Sequence, residues 1–170
     1  MKELSKNDII VNKNINDIFN VLYEDNYKLL TTLFDLREYN KGVWENNIRI
    51  DTATIYLEEF PNILSNLFLN NEKIIKVKCI NILNINTPNE YTIETKISVI
   101  NNLMFLIINK LKLIKIKNII NIKKINEGQS QMNIKTKIKS YIVPPFKEIV
   151  EKFAFIFCRT ILDKSIKYIL

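Results

Sequence analysis

Between residues 73 and 142 apolar and polar side chains alternate with a period of two, the spacing of strands with one buried face. In the last run Met132, Ile134, Thr136, Ile138 and Ser140 fall on one side, and Lys135, Lys137 and Lys139 on the other. Upstream, Ile114, Ile116, Asn118, Ile120 and Ile122 oppose Lys115, Lys117 and Lys123. Tyr91, Ile93, Thr95, Ile97 and Val99 oppose Glu94 and Lys96, and Ile75, Val77, Cys79, Asn81 and Leu83 oppose Lys76 and Lys78. These predict strands over 73–84, 90–100, 111–125 and 131–142. Their separators are Thr87-Pro88-Asn89, an irregular patch at Asn101-Asn102, and Asn126-Glu127-Gly128, a hairpin signal. Pro144-Pro145 ends the last run, and from Phe146 the period lengthens to that of a helix, which Pro favours at its first turn. One helical stripe is Ile149, Val150, Phe153, Phe157 and Ile161; a second is Phe155, Leu162, Ile166 and Ile169.

The N-terminal part is more mixed. Leu4 to Val11 reads as an opening strand, and Asn14-Ile15-Asn16-Asp17 as a helix start capped by Asn14 or Asn16. Ile15, Ile18, Phe19 and Leu22 form its apolar face. A second helix carries Leu29, Leu30, Leu33 and Phe34 and is expected to end near Leu36. From Asn40 the pattern turns to β, with Val43-Trp44, Ile48-Arg49-Ile50 and Thr52 to Leu57 as strand segments. Pro61 then breaks the pattern inside an unusually apolar loop, Phe60 to Asn71.

Consecutive strands joined by short turns imply an antiparallel meander, and a sheet with one apolar face must cover it. The C-terminal helix is the only element long and apolar enough. The expected fold is therefore α+β: a curved antiparallel sheet of about six to seven strands around that helix, with two short helices after the first strand. No repeat, linker or boundary divides the chain, so one domain over 1–170 is expected.

Composition narrows the chemistry. The chain has no histidine, which excludes Ser-His-Asp and Cys-His catalysis and imidazole-ligated zinc. Its two glycines, Gly42 and Gly128, cannot build a phosphate loop or dinucleotide fingerprint. Cys79 and Cys158 lack ligand spacing and read as small core residues. No metal or cofactor is expected, and an enzyme of cyclase or hydratase type ranks behind a non-catalytic role. No run reaches the roughly 18 apolar residues of a membrane span, and the N-terminus lacks a signal core. An intracellular, cytoplasmic protein, peripheral at membranes, is the expectation. The abundance of Ile, Asn and Lys is what an AT-rich genome produces at tolerant positions.

The order of elements resembles the helix-grip fold of the START-like superfamily. Within it, the likeness is nearest to the VASt sterol-transfer domains. It rests on Ile18-Phe19-Asn20-Val21-Leu22-Tyr23-Glu24-Asp25, on Gly42-Val43-Trp44, and on Ile55-Tyr56-Leu57 leading to Pro61. The helix opening Phe146-Lys147-Glu148-Ile149-Val150-Glu151 completes it. The loop after Pro61 departs from the family pattern, with Ile63, Leu64, Leu67, Phe68 and Leu69 in place of a polar spacer.

The resemblance implies a cavity between the concave face and the last helix, lined here by Ile93, Thr95, Ile97, Ile116, Asn118, Ile120, Ile134, Thr136, Ile138, Phe153 and Phe157. Its partner would be a lipid or another hydrophobic small molecule, a sterol among the candidates. Thr95, Asn118 and Thr136 would either meet a ligand hydroxyl or bond one another in a filled core. Pro61, Ile63, Leu64, Leu67 and Phe68 form a candidate lid, or a loop tucked over the core. Lys115, Lys117, Lys135, Lys137 and Lys139 fall on the outer face, in a stretch carrying thirteen lysines against Glu90, Glu94 and Glu127. That face is either solvated or attracts an anionic membrane or a protein partner. It carries few aromatics, which argues against nucleic acid. Trp44 reads as a core or rim residue. Arg159 is expected to pair with the acidic N-terminal half. No carboxylate is read as inward.

Overall fold

The computed structural model describes residues 2–58, 62, 73–100, 114–141 and 146–170. The chain opens with β1 (Lys2–Val11) and α1 (Ile15–Phe19), which continues into a π-helical turn (Asn20–Glu24). Then come α2 (Tyr27–Leu33), β2 (Asp35–Asn40), β3 (Ile48–Tyr56), β4 (Ile74–Thr87), β5 (Glu90–Val99), β6 (Ile114–Asn126), β7 (Gln129–Ser140) and α3 (Phe146–Ile169). The strands make one curved seven-stranded sheet in the order β1-β7-β6-β5-β4-β3-β2, antiparallel throughout. This is the expected α+β helix grip.

Local chemistry explains the boundaries. Asn14, not Asn16, caps α1, its side-chain oxygen accepting from the Asp17 amide at 2.9 Å. Asn46 and Asn47 both take left-handed φ values, 49° and 62°, between the bridged residues Glu45 and Ile48. Asparagine tolerates that region, which a tight two-residue reversal requires. Gly42 lies so close to β3 that a Cβ there would sit 2.2 Å from the Ile50 carbonyl oxygen.

The expectation that the second helix runs to Leu36 fails. α2 stops at Leu33, and Asp35–Asn40 is an edge strand on β3. A bulge between Leu36 and Glu38 shifts the register there, so the alternation that marks a strand is broken in the sequence. Val43 and Trp44 lie outside any strand, and the two segments read around Arg49 and Ile55 are one continuous β3.

α3 lies on the concave face. Its buried stripe is Val150, Ala154, Cys158, Leu162 and Ile169, spaced by one helical turn or two. This is rotated from the expected first stripe: Ile149 is exposed, while Phe153 and Phe157 flank the buried line half-covered. The C-terminal half of α3 is densely packed, Leu162, Ile166 and Ile169 meeting Val11, Ile18, Ile122, Met132 and Ile134. The Lys13 ammonium donates to the Ile169 carbonyl, where the helix leaves carbonyls unmatched. Among the described residues the N-terminal half meets smaller clusters. Ala154 and Cys158 pack on Ile138, while Phe153 and Phe157 reach the Ile55–Leu57–Ile75–Val77 cluster.

The pleat gives a direct test of these faces. Ile93, fully buried on β5, should cost about 2–4 kcal/mol when cut to Ala. Ile50, 46% exposed on the opposite face, should cost less than about 0.5 kcal/mol. Chemical denaturation of the two variants measures the difference.

Candidate functional site

The register lines the concave residues up in rows across the sheet. Ile93, Ile120 and Ile134 are directly opposed in one row, and Ile97, Ile116 and Ile138 in another. Between them runs a polar row, Thr95, Asn118 and Thr136, which continues through Asn81 on β4 to Arg49 on β3. All the strand residues expected to look inward therefore share the concave side. Lys115, Lys117, Lys135, Lys137 and Lys139 share the convex side. The lid residues Pro61, Ile63, Leu64, Leu67 and Phe68 lie outside the described residues.

The β3 end of the polar row holds a buried ionic network. Arg49 is 1% exposed. Its Nε and Nη2 donate to Asp51 Oδ2 at 3.1 and 2.9 Å, and its Nη1 donates to the Tyr23 carbonyl at 2.8 Å. Glu24 Oε1 is 3.5 Å from Nη1, and the Trp44 ring lies under the guanidinium at 4.9 Å. Trp44 Nε1 donates to the same Glu24 oxygen at 2.6 Å, so indole and carboxylate close the network at the rim. Asp51 also accepts from Asn81 Nδ2 at 2.8 Å and from the Gly42 amide at 2.9 Å. Thr95 Oγ1 donates to Asn81 Oδ1 at 2.8 Å and sits 3.5 Å from the Tyr23 hydroxyl. Such a site suits Arg, whose planar fork satisfies several acceptors at once; a lysine cannot.

The expectation that no carboxylate points inward is corrected by Asp51. Its opposite number is the exposure of Ile48 and Ile50 on β3. Ile48 and Ile50 taken alone would turn that end of the strand the other way. The recoverable signal was the parity of Ala53, Ile55 and Leu57, carried back two and four residues, together with the rarity of arginine: three among 25 basic residues. Among the described residues Arg159 pairs with no carboxylate of the N-terminal half; it lies 4.0 Å from Asp163 on its own helix.

Burial pushes the Tyr23 hydroxyl up to about 12, against the opposing hydrogen bond to Thr95 and the Arg49 charge. Burial likewise raises the Cys79 and Cys158 thiols to about 12, as core residues. For Glu24 burial pulls upward, but hydrogen bonds from Lys41 and Trp44 and the charges of Lys41 and Arg49 outweigh it, and its carboxyl is held below the ordinary 4.5.

At the other end of the row the polar groups are less complete. Thr136 Oγ1 donates to Asn118 Oδ1 at 3.0 Å. The Asn118 Nδ2 has no hydrogen-bond partner among the described residues. Ile97 and Ile116 in the adjoining row are half-buried, as are Phe153 and Phe157 of α3, whose rings stack at 5.8 Å. Of the depressions bordered by described residues, one of about 320 Å³ is lined by Asn14, Asn16, Asp17, Lys124 and Glu127. Another, of about 270 Å³, is lined by Glu38, Asn40, Thr52, Thr54 and Lys76, and α3 borders neither.

No protein-family model matches the chain, and no curated protein matches it. Solved structures do. The Zhui aromatase/cyclase from Streptomyces sp. R1128 matches with a TM-score of 0.61 and 6% identity, over 98% of this chain and 92% of that one. The human StarD13 lipid transfer and protein localization domain matches at 0.57 and 9%, over 99% and 76%. Ara h 8.0201 matches at 0.58 and 11%, over 99% and 97%. At such identities the likeness is one of fold, the helix grip, and it does not single out the VASt branch.

Two outcomes follow from the network. Arg49→Met leaves Asp51 buried without its cation and should cost about 3–5 kcal/mol, part of which Arg49→Met with Asp51→Leu should recover. Denaturant titrations of the three proteins measure both. Because the folded Glu24 carboxyl titrates below its unfolded value, its contribution is present above pH 4.5 and is lost as pH falls through the folded pKa. Stability followed from neutral to acid pH should therefore fall less steeply in Glu24→Gln.

Proposed function

We propose that the protein is a non-catalytic START-like unit, acting as one domain over 1–170, that binds an apolar small molecule of lipid type. The ligand lies between the concave face and the N-terminal half of α3. The observation that carries this reading is the gradient of packing along α3. One half is closed by Ile18, Ile122, Met132 and Ile169, each at or below 1% exposure. The other half leaves Phe153, Phe157, Ile97 and Ile116 half-buried, and in the polar row beside the last two the Asn118 amide is unmatched among the described residues. Burying apolar ligand surface there contributes roughly 25 cal/mol per Å². A single ligand oxygen accepting from Asn118 Nδ2 would fix its orientation, as a sterol or another lipid with one polar end could supply.

Thr95 serves differently in this reading, since its hydroxyl is already committed to Asn81 and Tyr23. Transfer between membranes extends the same proposal. The StarD13 domain, described as a lipid transfer domain, is consistent with it. Against catalysis, despite the aromatase/cyclase among the structural matches, stands the state of Asp51. Among the described residues it is the buried carboxylate of the concave side, paired with Arg49 and bonded by Asn81 and Gly42. A general base must reach the substrate proton, and this carboxylate is 5% exposed and turned into the network.

Purified protein should release an apolar ligand on solvent extraction, detected by mass spectrometry, and should take up fluorescent sterol or phospholipid. Ile116→Phe, which fills the proposed ligand space, should abolish uptake with the fold retained. Asn118→Leu should weaken uptake of hydroxylated ligands by about 5–30-fold, the loss of one hydrogen bond, and spare a hydrocarbon probe. Protein that is empty and takes up neither probe overturns the proposal.

A further inference from the structure

The convex face carries a second pattern. Reading across β3 to β7, one row is Ile50, Ile80, Lys96, Lys117 and Lys137, and the next is Thr52, Lys78, Ser98, Lys115 and Lys139. The row on the other side is Ile48, Ile82, Glu94, Ile119 and Lys135. A block of four isoleucines, with Ile48 and Ile50 at 43% and 46% exposure, therefore adjoins a field of seven lysines. Lys96 faces Lys117, Lys117 faces Lys137, and Lys115 faces Lys139. Like charges directly opposed across strands destabilise a sheet.

Internal neutralisation is partial. Glu94 serves both Lys96 and Lys117, at 3.2 and 2.7 Å, and Glu3 serves Lys135 at 2.8 Å. Among the described residues Lys78, Lys115, Lys137 and Lys139 meet no carboxylate. Lys115 and Lys139 instead hold the half-exposed Tyr141 ring between them, at 4.9 and 4.8 Å. These rows lie on the sheet directly behind Ile97, Ile116 and Ile138, so the lysine field backs that row of the concave face.

We propose that this convex patch docks the protein on the surface of an anionic phospholipid bilayer, the lysines meeting headgroup charges and Ile48 and Ile50 entering between headgroups. Charge and apolarity together select this occupant. A nucleic acid would use the lysines but not the isoleucines, and the patch's one aromatic, Tyr141, is already flanked by two ammonium groups rather than free to stack on a base. A second copy of the chain would bring the same excess of positive charge against itself.

The test is sedimentation of the full chain with vesicles of phosphatidylcholine alone and of phosphatidylcholine mixed with phosphatidylserine. Binding is expected only to the second and should fall as salt rises. Lys115→Gln, Lys137→Gln and Lys139→Gln together should weaken it by about a hundredfold, each near-surface lysine counting for about fivefold. The same charge change placed on the exposed α3 lysines, Lys147→Gln, Lys152→Gln and Lys164→Gln, should weaken it less than about tenfold. Ile48→Ser with Ile50→Ser should lower binding and leave its salt dependence intact. Thermal melting checks each variant, and the convex triple should melt no lower than the parent because opposed charges are relieved. Equal weakening by the two triples, unchanged binding in the convex triple, or no sedimentation with serine-lipid vesicles overturns the proposal. Binding to mixed-sequence single-stranded RNA without vesicle binding assigns the face to nucleic acid and overturns it as well.

Discussion

An antiparallel strand has only two sides, and a sheet bent around a helix makes them unequal. That alternation is the constraint on which everything else here depends. It gathers the isoleucines of β5, β6 and β7 under α3 and sets the lysines between them back to back on the outside. It is also inflexible. Shifting β3 by one residue would bury Ile48 and Ile50 but expel Ala53, Ile55 and the following Leu57 from their cluster with Ile75 and Val77. The strand keeps the larger apolar set inside and accepts Arg49 and Asp51 as the consequence.

A buried ion pair is costly unless its hydrogen bonds are complete. Here they are drawn from almost every neighbouring element: the Tyr23 carbonyl and Glu24 from the π-helical turn, Trp44 and Gly42 from the loop, Asn81 from β4, with Thr95 of β5 behind it. The network thereby fixes how the N-terminal helical segment sits on the sheet. It also fills one end of the polar row, while at the other end Thr136 and Asn118 are bonded to each other.

The two faces make a consistent whole. The concave interior and the lysine field are opposite sides of the same strand segments, β5 through β7, and their rows interleave residue by residue. A protein that takes an apolar molecule at that end and rests on an anionic surface at that end uses one stretch of sheet for both.

Much of this was legible in the residues. Period-two runs with their turns, followed by one long period-3.6 run, determined the meander, the terminal helix and the concave membership of Ile93, Thr95, Ile97, Ile116, Asn118, Ile120, Ile134, Thr136 and Ile138, because side-chain direction along a regular strand is a local property. β2 was hidden because its bulge breaks that local rule. The rotation of α3, which exposes Ile149 and buries Ala154 and Cys158, was undecided because two apolar stripes compete on one helix and only the sheet's curvature chooses between them. The parity of Ala53, Ile55 and Leu57 pointed Arg49 and Asp51 inward, but only tertiary structure decided that the charges could be accommodated there. Whether a charge can be buried depends on partners 26 or 30 residues away, which no local pattern records.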